Sequence, residues 1–311
     1  MTSKPYSAIR IFEKIVETIL TYTCEITEAY IPKKWDLNKF QKNMWKTGEE
    51  TQKVVLSFLR QLLGVHKKTT NLAILAETGK HPICLKIFLR IIKYWVRLST
   101  SKNPLLKGAL ELNKKMQIQG NQNWLKLTLY LLELTKITDV PNGDAKKDNS
   151  LTTNFKKLIT ELFENWWKQQ TESNEASKLD FYYLHKKIFR YESYLDNIPR
   201  YIRMYITKLR LSSHNLPIET MRYQKTRIDR EDRKCKICNQ NKTGDEYHYL
   251  LDCNNIQIYE ARLRFFKNVK SVTPQLEHFS NKNIIDYTMS MSDKTTQYSI
   301  ATFAKDLQNR N

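Results

Sequence analysis

The chain has 311 residues, enough for one sizeable core or for two or three modules. Its 52 Lys and Arg residues against 32 Asp and Glu residues give a formal charge of +20, which favours nucleic acid as the partner, although a basic surface without a dedicated ligand stays open. No run reaches the ~18 apolar residues of a membrane span, and seven glycines and eight prolines are few enough that helix should predominate.

The amino-terminal stretch MTSKPYSAIRIFEKIVETIL does not suit a secretory signal. Charged residues interrupt its apolar pattern, namely Arg10, Glu13, Lys14 and Glu17. We therefore expect an intracellular protein, nuclear or cytoplasmic, that does not associate with a membrane. Thiols stay reduced there, so clustered cysteines favour metal binding over disulfides. Cys24 and Cys84 have no nearby partner in the sequence and are predicted to be ordinary buried residues.

Three helices are predicted before residue 140. EETQKVVLSFLRQLLG should form a core helix that ends at Gly64, with one apolar face made of Val55, Leu59, Leu62 and Leu63. HPICLKIFLRIIKYWVRLS begins near Pro82 and is apolar almost all round, so it should lie at the centre of its unit. Its cations form one basic stripe, Lys86, Arg90, Lys93 and Arg97. A third helix is predicted around NWLKLTLYLLELTK.

The rest of the chain is predicted to contain further helices. DVPNGDAKKDNS indicates a loop and a boundary. Two helices are predicted, in LTTNFKKLITELFENWWKQQ and in RYIRMYITKLRLSSHNL. The segment between them, LDFYYLHKKIFRYESYLDNIP, is rich in aromatic residues. We expect a mainly α protein of helical bundle modules, divided into an amino-terminal helical domain (1–140), a second helical segment (141–225), a small zinc module with its basic approach (226–270) and a helical tail (271–311).

The stretch CKICNQNKTGDEYHYLLDC predicts a metal site. Two residues separate Cys235 from Cys238, nine follow before His248, and four more before Cys253. Three thiolates and one imidazole fill the four tetrahedral positions of zinc, which predicts one structural Zn²⁺ with no open position for a catalytic water. Two alternatives stay open: the spacing arises by chance, or zinc only staples a segment too short to build its own core.

Basic residues are concentrated on the approach to this motif. Residues 200–238 contain eleven Lys or Arg against four Asp or Glu. Cations can hold phosphates while aromatic rings stack on unpaired bases. The candidate nucleic-acid contacts are Arg222, Tyr223, Lys225, Arg227, Arg230, Arg233, Lys234, Lys236 and Tyr249. For Tyr249 a core role beside the metal loop is an equal alternative.

The stretch KLRLSSHNLPIETMRYQKTRIDREDRKCKICNQNKTGDEYHYLLDCNNIQIYEARLRFF resembles the carboxyl-terminal region of non-LTR retrotransposon reverse transcriptases. In that family Leu-Arg, Ser-His-x-Leu and Ile-Glu runs lead to a basic stretch and then to a Cys-x-x-Cys, His and Cys motif. The matching residues are Leu209, Arg210, Ser213, His214, Leu216, Ile218, Glu219, Arg222, Tyr223, Arg233, Cys235, Cys238, Asp245, Glu246, His248, Cys253, Tyr259 and Arg262.

A second block, FLRQLLGVHKKTTNLAILAETGKHPICLKIFLRIIKYWVRL, is similar to the helices that follow the polymerase palm in the same family. The matches are Leu63, Gly64, Val65, Thr69, Asn71, Glu77, Gly79, Pro82, Tyr94 and Trp95. The sequence departs from the family in lacking an Asp-Asp dipeptide, which would hold the two cations needed for phosphoryl transfer. We therefore expect the post-palm part alone, with no catalytic residues and no enzymatic activity.

Two functions follow from this resemblance and from the charge. The first is noncatalytic binding of nucleic acid, either RNA or an RNA/DNA hybrid, by a zinc-containing fragment of such an element. The second is a helical protein-interaction module that docks onto a reverse transcriptase core and in which the zinc is purely structural. Salt dependence separates them, since phosphate binding weakens steeply with added salt.

Overall fold

The computed structural model describes residues 4–27, 35–119, 123–172, 178–226 and 228–309. The fold is mainly α-helical, as predicted. The α-helices are α1 (Pro5–Lys14), α2 (Val16–Leu20), α3 (Cys24–Thr27), α4 (Leu37–Asn43), α5 (Glu49–Leu63), α6 (Asn71–Glu77), α7 (Ile83–Thr100), α8 (Pro104–Ile118), α9 (Trp124–Thr135), α10 (Ala145–Glu172), α11 (Asp180–His185), α12 (Tyr194–Asn197), α13 (Arg200–Arg210), α14 (Pro217–Thr220), α15 (Ile256–Val272), α16 (Asn281–Met289) and α17 (Lys294–Asn309).

Shorter elements connect these helices. A π-helical turn spans His248–Asp252. The 3₁₀ turns are Met44–Lys46, Met221–Tyr223, Arg230–Asp232 and Pro274–Leu276. Within the described ranges, β pairing is confined to two isolated antiparallel bridges, Thr78 with Tyr191 and Lys234 with Thr243. No helix in this part of the chain is both long enough and apolar enough to cross a membrane.

Three strongly periodic segments form helices where the sequence predicted them. Helix α5 ends at Leu63, and Gly64 follows in the left-handed region with φ of +68°. Helix α7 begins directly after Pro82 and has buried residues along its whole length. Helix α9 covers the third predicted segment. Cys24 and Cys84 are both buried, which confirms their predicted core role.

The predicted loop at DVPNGDAKKDNS was wrong in its second half, because α10 begins at Ala145. The side-chain oxygen Oδ1 of Asp144 accepts hydrogen bonds from the backbone N–H groups of Lys146 and Lys147, at 2.9 and 3.3 Å. These bonds satisfy donors that the first helical turn leaves free. Asp144 therefore starts the helix that its polar neighbours seemed to exclude.

The chain divides into two compact units. One comprises Ile11–Val55 and His81–Gln170, and the other comprises Met1–Arg10, Leu56–Lys80 and Thr171–Asn311. These units are discontinuous in sequence, whereas the division at residues 140, 225 and 270 was made from contiguous segments. That division stays a prediction about segments that fold independently.

Each unit has its own helical core. In the first, α7 packs against α3, α8 and α9, and the rings of Phe40 and Phe88 lie 6.4 Å apart between centroids. In the second, α17 packs against α13 and α15, and the rings of Phe265 and Phe303 stack at 4.9 Å. The carboxyl-terminal helix is therefore part of the core that surrounds the Cys/His motif.

A buried ion pair lies in the second unit. Glu77 accepts two hydrogen bonds from Arg210, at 2.7 Å from Nε and 3.1 Å from Nη2, and a third from the Tyr194 hydroxyl at 2.7 Å. Burial opposes ionisation of Glu77, but the charge and hydrogen bonds of Arg210 outweigh it and lower the pKa of this carboxyl group. Arg210 also donates to the carbonyl of Met289, so the pair ties α6, α13 and α16 together.

Candidate metal centre

The first ligand pair lies on a short reverse turn. The bridge between Lys234 and Thr243 brings the chain back on itself, and the Cys235 N–H donates to the carbonyl of Lys242 at 2.9 Å. Gly244 closes the turn, where a Cβ atom would lie 2.9 Å from Cγ of Pro217 and 3.1 Å from Cα of Cys235. A residue without a side chain is therefore required at this close approach.

The second ligand pair flanks the π-helical turn His248–Asp252. Oδ1 of Asp245 accepts from the His248 N–H at 2.8 Å and so starts the turn. The Cys253 N–H donates to the carbonyl of His248 at 2.7 Å and ends it. His248 and Cys253 are thereby presented at opposite ends of one rigid turn.

Arg262, on α15, holds this turn in place. Its guanidinium Nε donates to the carbonyl of Leu250 at 3.0 Å, and Nη2 donates to the carbonyls of Tyr249 at 3.1 Å and Cys253 at 3.0 Å. The end of a helix leaves such carbonyls without hydrogen-bond donors. Here one buried side chain supplies the donors. The sequence marks Arg262 only through the resemblance and does not predict this role.

The four predicted ligands come together. One ligand atom from each of Cys235, Cys238, His248 and Cys253 lies within 4.8 Å of every other, and three of these residues are buried while Cys238 is partly buried. Sγ of Cys238 lies 3.4 Å from Nε2 of His248. A zinc tetrahedron with bonds of about 2.3 Å to sulfur and about 2.0 Å to nitrogen has S···N edges of about 3.5 Å. The four residues therefore lie close enough together to bind one metal ion.

The electrostatics of two of the ligands, His248 and Cys235, also suit a metal. Burial lowers the pKa of His248, which favours the neutral, ligating imidazole. The pKa of Cys235 is lowered too: burial opposes ionisation, but the Tyr249 hydroxyl and backbone N–H groups donate to its sulfur and outweigh it. Among the described residues Nδ1 of His248 has no hydrogen-bond partner. A metal on Nε2 would place the ring proton on this nitrogen.

The position of Tyr249 does not suit the predicted stacking on bases. Its side chain is 0% exposed, and its hydroxyl lies 3.3 Å from Sγ of Cys235. The ring is packed inside the metal loop and presents no face to a ligand. The alternative core role, which the sequence left open, is the one that the structure shows.

The predicted cationic contacts divide into two groups. In the first, the side chains are already engaged: Nε of Arg222 lies 3.1 Å from Glu219, Nη1 of Arg230 lies 3.6 Å from Asp180, and Arg233 donates to the carbonyls of residues 218 and 228. Arg233 is therefore a structural residue of the loop.

In the second group the side chains have no such engagement. Lys225 and Lys236 are exposed and Lys234 is partly exposed, and within the described part of the chain none of the three has a carboxylate partner. Tyr223 is 42% exposed. Arg227, the remaining predicted contact, lies outside the described residues.

A buried pair anchors the metal module to the segment after α13. Nε2 of His214 lies 2.9 Å from Oε1 of Glu246, and the Ser212 hydroxyl donates to the same carboxylate at 3.4 Å. Burial opposes ionisation of Glu246, but the hydrogen bond and charge of His214 outweigh it and lower its pKa. Pairing across 32 positions gives no periodic signal, so the sequence could not reveal it.

Comparison with known proteins adds no assignment. No family model, curated protein or solved structure matches this chain.

Proposed function

We propose that Cys235, Cys238, His248 and Cys253 hold one structural Zn²⁺ and that the metal module carries a binding surface for RNA or an RNA/DNA hybrid. Three thiolates and one imidazole are donors that zinc prefers, and they leave no coordination position for substrate. The zinc would fix the loop from both ligand pairs, and the reaction chemistry of a catalytic metal has no place at such a site.

The observation that carries this proposal is the set of lysines without carboxylate partners on the module and directly before it. Lys225, Lys234 and Lys236 belong to a chain with formal charge +20, and their ammonium groups are not neutralised by acidic neighbours in the described structure. Such cations attract phosphates at any sequence. Base readout would be weak, because ammonium groups contact phosphates, which are the same at every base.

The resemblance to the post-palm region of non-LTR reverse transcriptases supports the same proposal. Most of its residues belong to the compact unit that contains the metal module and the Glu77–Arg210 pair, whereas Pro82, Tyr94 and Trp95 belong to the other unit. Under this proposal the protein is noncatalytic and derives from such an element, and it acts inside the cell, in the nucleus or cytoplasm.

A salt titration of RNA binding tests the proposal. Fluorescence anisotropy with a labelled single-stranded RNA should give log K that falls linearly with log salt, at a slope of about −0.7 per phosphate neutralised. Changing Lys225, Lys234 and Lys236 together to Ala should make the slope shallower by up to about 2. A matched control removes the same charge from exposed lysines of the other unit, Lys102, Lys107 and Lys115. Equal slopes for the two triple variants would place the RNA elsewhere.

The alternative, docking onto a polymerase core, has one observation in its favour. Helix α15 carries Ile256, Tyr259 and Leu263 on one face, and they are 64%, 47% and 52% exposed. An apolar contact of this kind would be almost insensitive to salt. Zinc-loaded protein that fails to bind RNA at low salt, but binds a polymerase core at high salt, would favour this alternative.

A further inference from the structure

A separate cavity lies in the unit that contains the metal module, and none of the four ligand residues lines it. Its volume is about 480 Å³, which is within the usual range for small-molecule sites of roughly 300–1,000 Å³. Its lining is polar and includes the ionisable or aromatic residues His66, Lys178, Tyr205, Lys208, Glu219 and Tyr223.

The cavity favours an anion. Glu219 is the one carboxylate among its described lining residues, and it lies 3.4 Å from Lys178 and 3.1 Å from Arg222, so its charge is already offset. Lys208 lines the same cavity and has no carboxylate partner in the described structure. The ammonium group of Lys208 is therefore available to an anionic ligand.

His66 adds a directional donor. Its Nδ1 accepts a hydrogen bond from the backbone N–H of Lys68 at 3.2 Å. A neutral imidazole that accepts at Nδ1 carries its proton on Nε2, so the second nitrogen is a donor. The Ser213 hydroxyl accepts from the backbone N–H of His66 at 2.8 Å and fixes this residue relative to the end of α13.

An aromatic ring is held in place beside these donors. The Tyr223 hydroxyl accepts from Nζ of Lys178 at 3.0 Å, and Nζ of Lys68 lies 4.0 Å from the ring centroid. The ring is thus anchored at two points yet still partly exposed. An anchored ring loses little conformational entropy when a base stacks on it.

We propose that this cavity binds a nucleotide, whose phosphate contacts Lys208 and His66 Nε2–H and whose base contacts Tyr223. The proposal rests on the nucleic-acid binding proposed above, because it gives one nucleotide of the ligand a defined place. Its test uses a mononucleotide and can fail or succeed separately from the salt titration. The nucleotide is either free or part of an RNA strand, and the competition experiment below distinguishes these sources.

Isothermal titration calorimetry on the zinc-loaded full chain provides the test. AMP should bind saturably, and adenosine or inorganic phosphate alone should bind at least about tenfold more weakly, since each keeps only half of the contacts. Lys208→Gln should lower AMP affinity by about 10- to 100-fold and leave adenosine binding unchanged. Lys102→Gln, an exposed lysine of the other unit, is the matched control and should change neither.

The ring is tested in the same way. Tyr223→Phe keeps the stacking face and should retain AMP binding to within a few fold, whereas Tyr223→Ser should lose about 5- to 100-fold. Circular dichroism and zinc content check that each variant is folded. Competition between AMP and a short RNA distinguishes the sources of the nucleotide. If the RNA competes only when it carries a 5′-phosphate, the cavity binds the terminal nucleotide of a strand. If it competes equally without the 5′-phosphate, the cavity binds an internal nucleotide.

Three outcomes with the wild-type protein and with Lys208→Gln overturn the proposal. They are no saturable AMP binding by the folded, zinc-loaded protein, AMP binding by Lys208→Gln at the wild-type affinity, or inorganic phosphate binding as tightly as AMP. Unchanged AMP affinity in the Lys225, Lys234 and Lys236 triple variant is expected. Loss of AMP binding in that variant would place the nucleotide on the metal module and not in this cavity.

Discussion

Replacing Arg262 by Lys should destabilise the metal turn while preserving charge. Arg262 donates to three backbone carbonyls of the turn at 3.0–3.1 Å, and a lysine ammonium at this position can reach about one of them. Two buried carbonyls then lose their donors, at about 1–3 kcal/mol each. The expected loss is about 2–6 kcal/mol, and if it falls on the turn alone, the apparent zinc affinity drops at least about 30-fold.

Competition with a chromogenic chelator measures the zinc affinity, and urea unfolding measures the stability. Arg264→Lys is a matched control on the same helix, because Arg264 is exposed and lies 3.6 Å from Asp306 in a surface ion pair of about 0–1 kcal/mol. If Arg262→Lys has the same zinc affinity and the same urea midpoint as Arg264→Lys, the three hydrogen bonds of Arg262 do not hold the turn.

Three further predictions concern zinc, pH and catalysis. Metal analysis should find one zinc per chain, lost in the Cys238→Ser, Cys253→Ser double variant, and chelation should leave most of the far-ultraviolet helical signal, because only about residues 226–265 depend on the metal. Glu77→Gln should lower the free energy of unfolding by about 3–5 kcal/mol at pH 7. Since the folded-state pKa of Glu77 is lowered, the stabilisation by Glu77 is present above the unfolded-state pKa and is lost as pH falls through the folded-state pKa. Urea titrations of the two proteins should therefore converge in acid, and a difference that stays constant with pH would contradict the ion pair. Primer extension on RNA with magnesium or manganese should give no product, because the chain has no adjacent aspartate pair, and template-dependent extension would contradict this.

Local patterns predicted the local structure. The 3.6-residue periodicity placed α5, α7 and α9, and the ligand spacing placed four side chains around one point. Both signals lie within about twenty consecutive residues. The polar composition of residues 139–150 misled the prediction, because a single capping residue, Asp144, outweighed it.

Long-range pairing could not be predicted in the same way. The Glu77–Arg210 pair joins positions 133 apart, and neither residue differs in its local sequence from a solvated charge. The role of Arg233 could not be predicted either. Its position in a basic run predicted a phosphate contact, but its guanidinium donates to backbone carbonyls of the loop. Charge patterning gives the sign of a surface, whereas hydrogen bonding decides which cations remain available to a ligand.

Three of the residues that carry the resemblance help to hold the structure together. Arg210, Glu246 and Arg262 all make buried hydrogen bonds, whereas the lysines proposed to contact RNA, Lys225, Lys234 and Lys236, lie outside the matched set. A likeness concentrated in such residues concerns the fold first. Substitutions among the three structural residues should therefore lower the unfolding free energy and reduce RNA binding only in proportion to the unfolded fraction. The lysine variants should weaken RNA binding at unchanged stability, and a reversed pattern, with stable Arg210 variants that no longer bind RNA, would show that the buried network itself forms the contact surface.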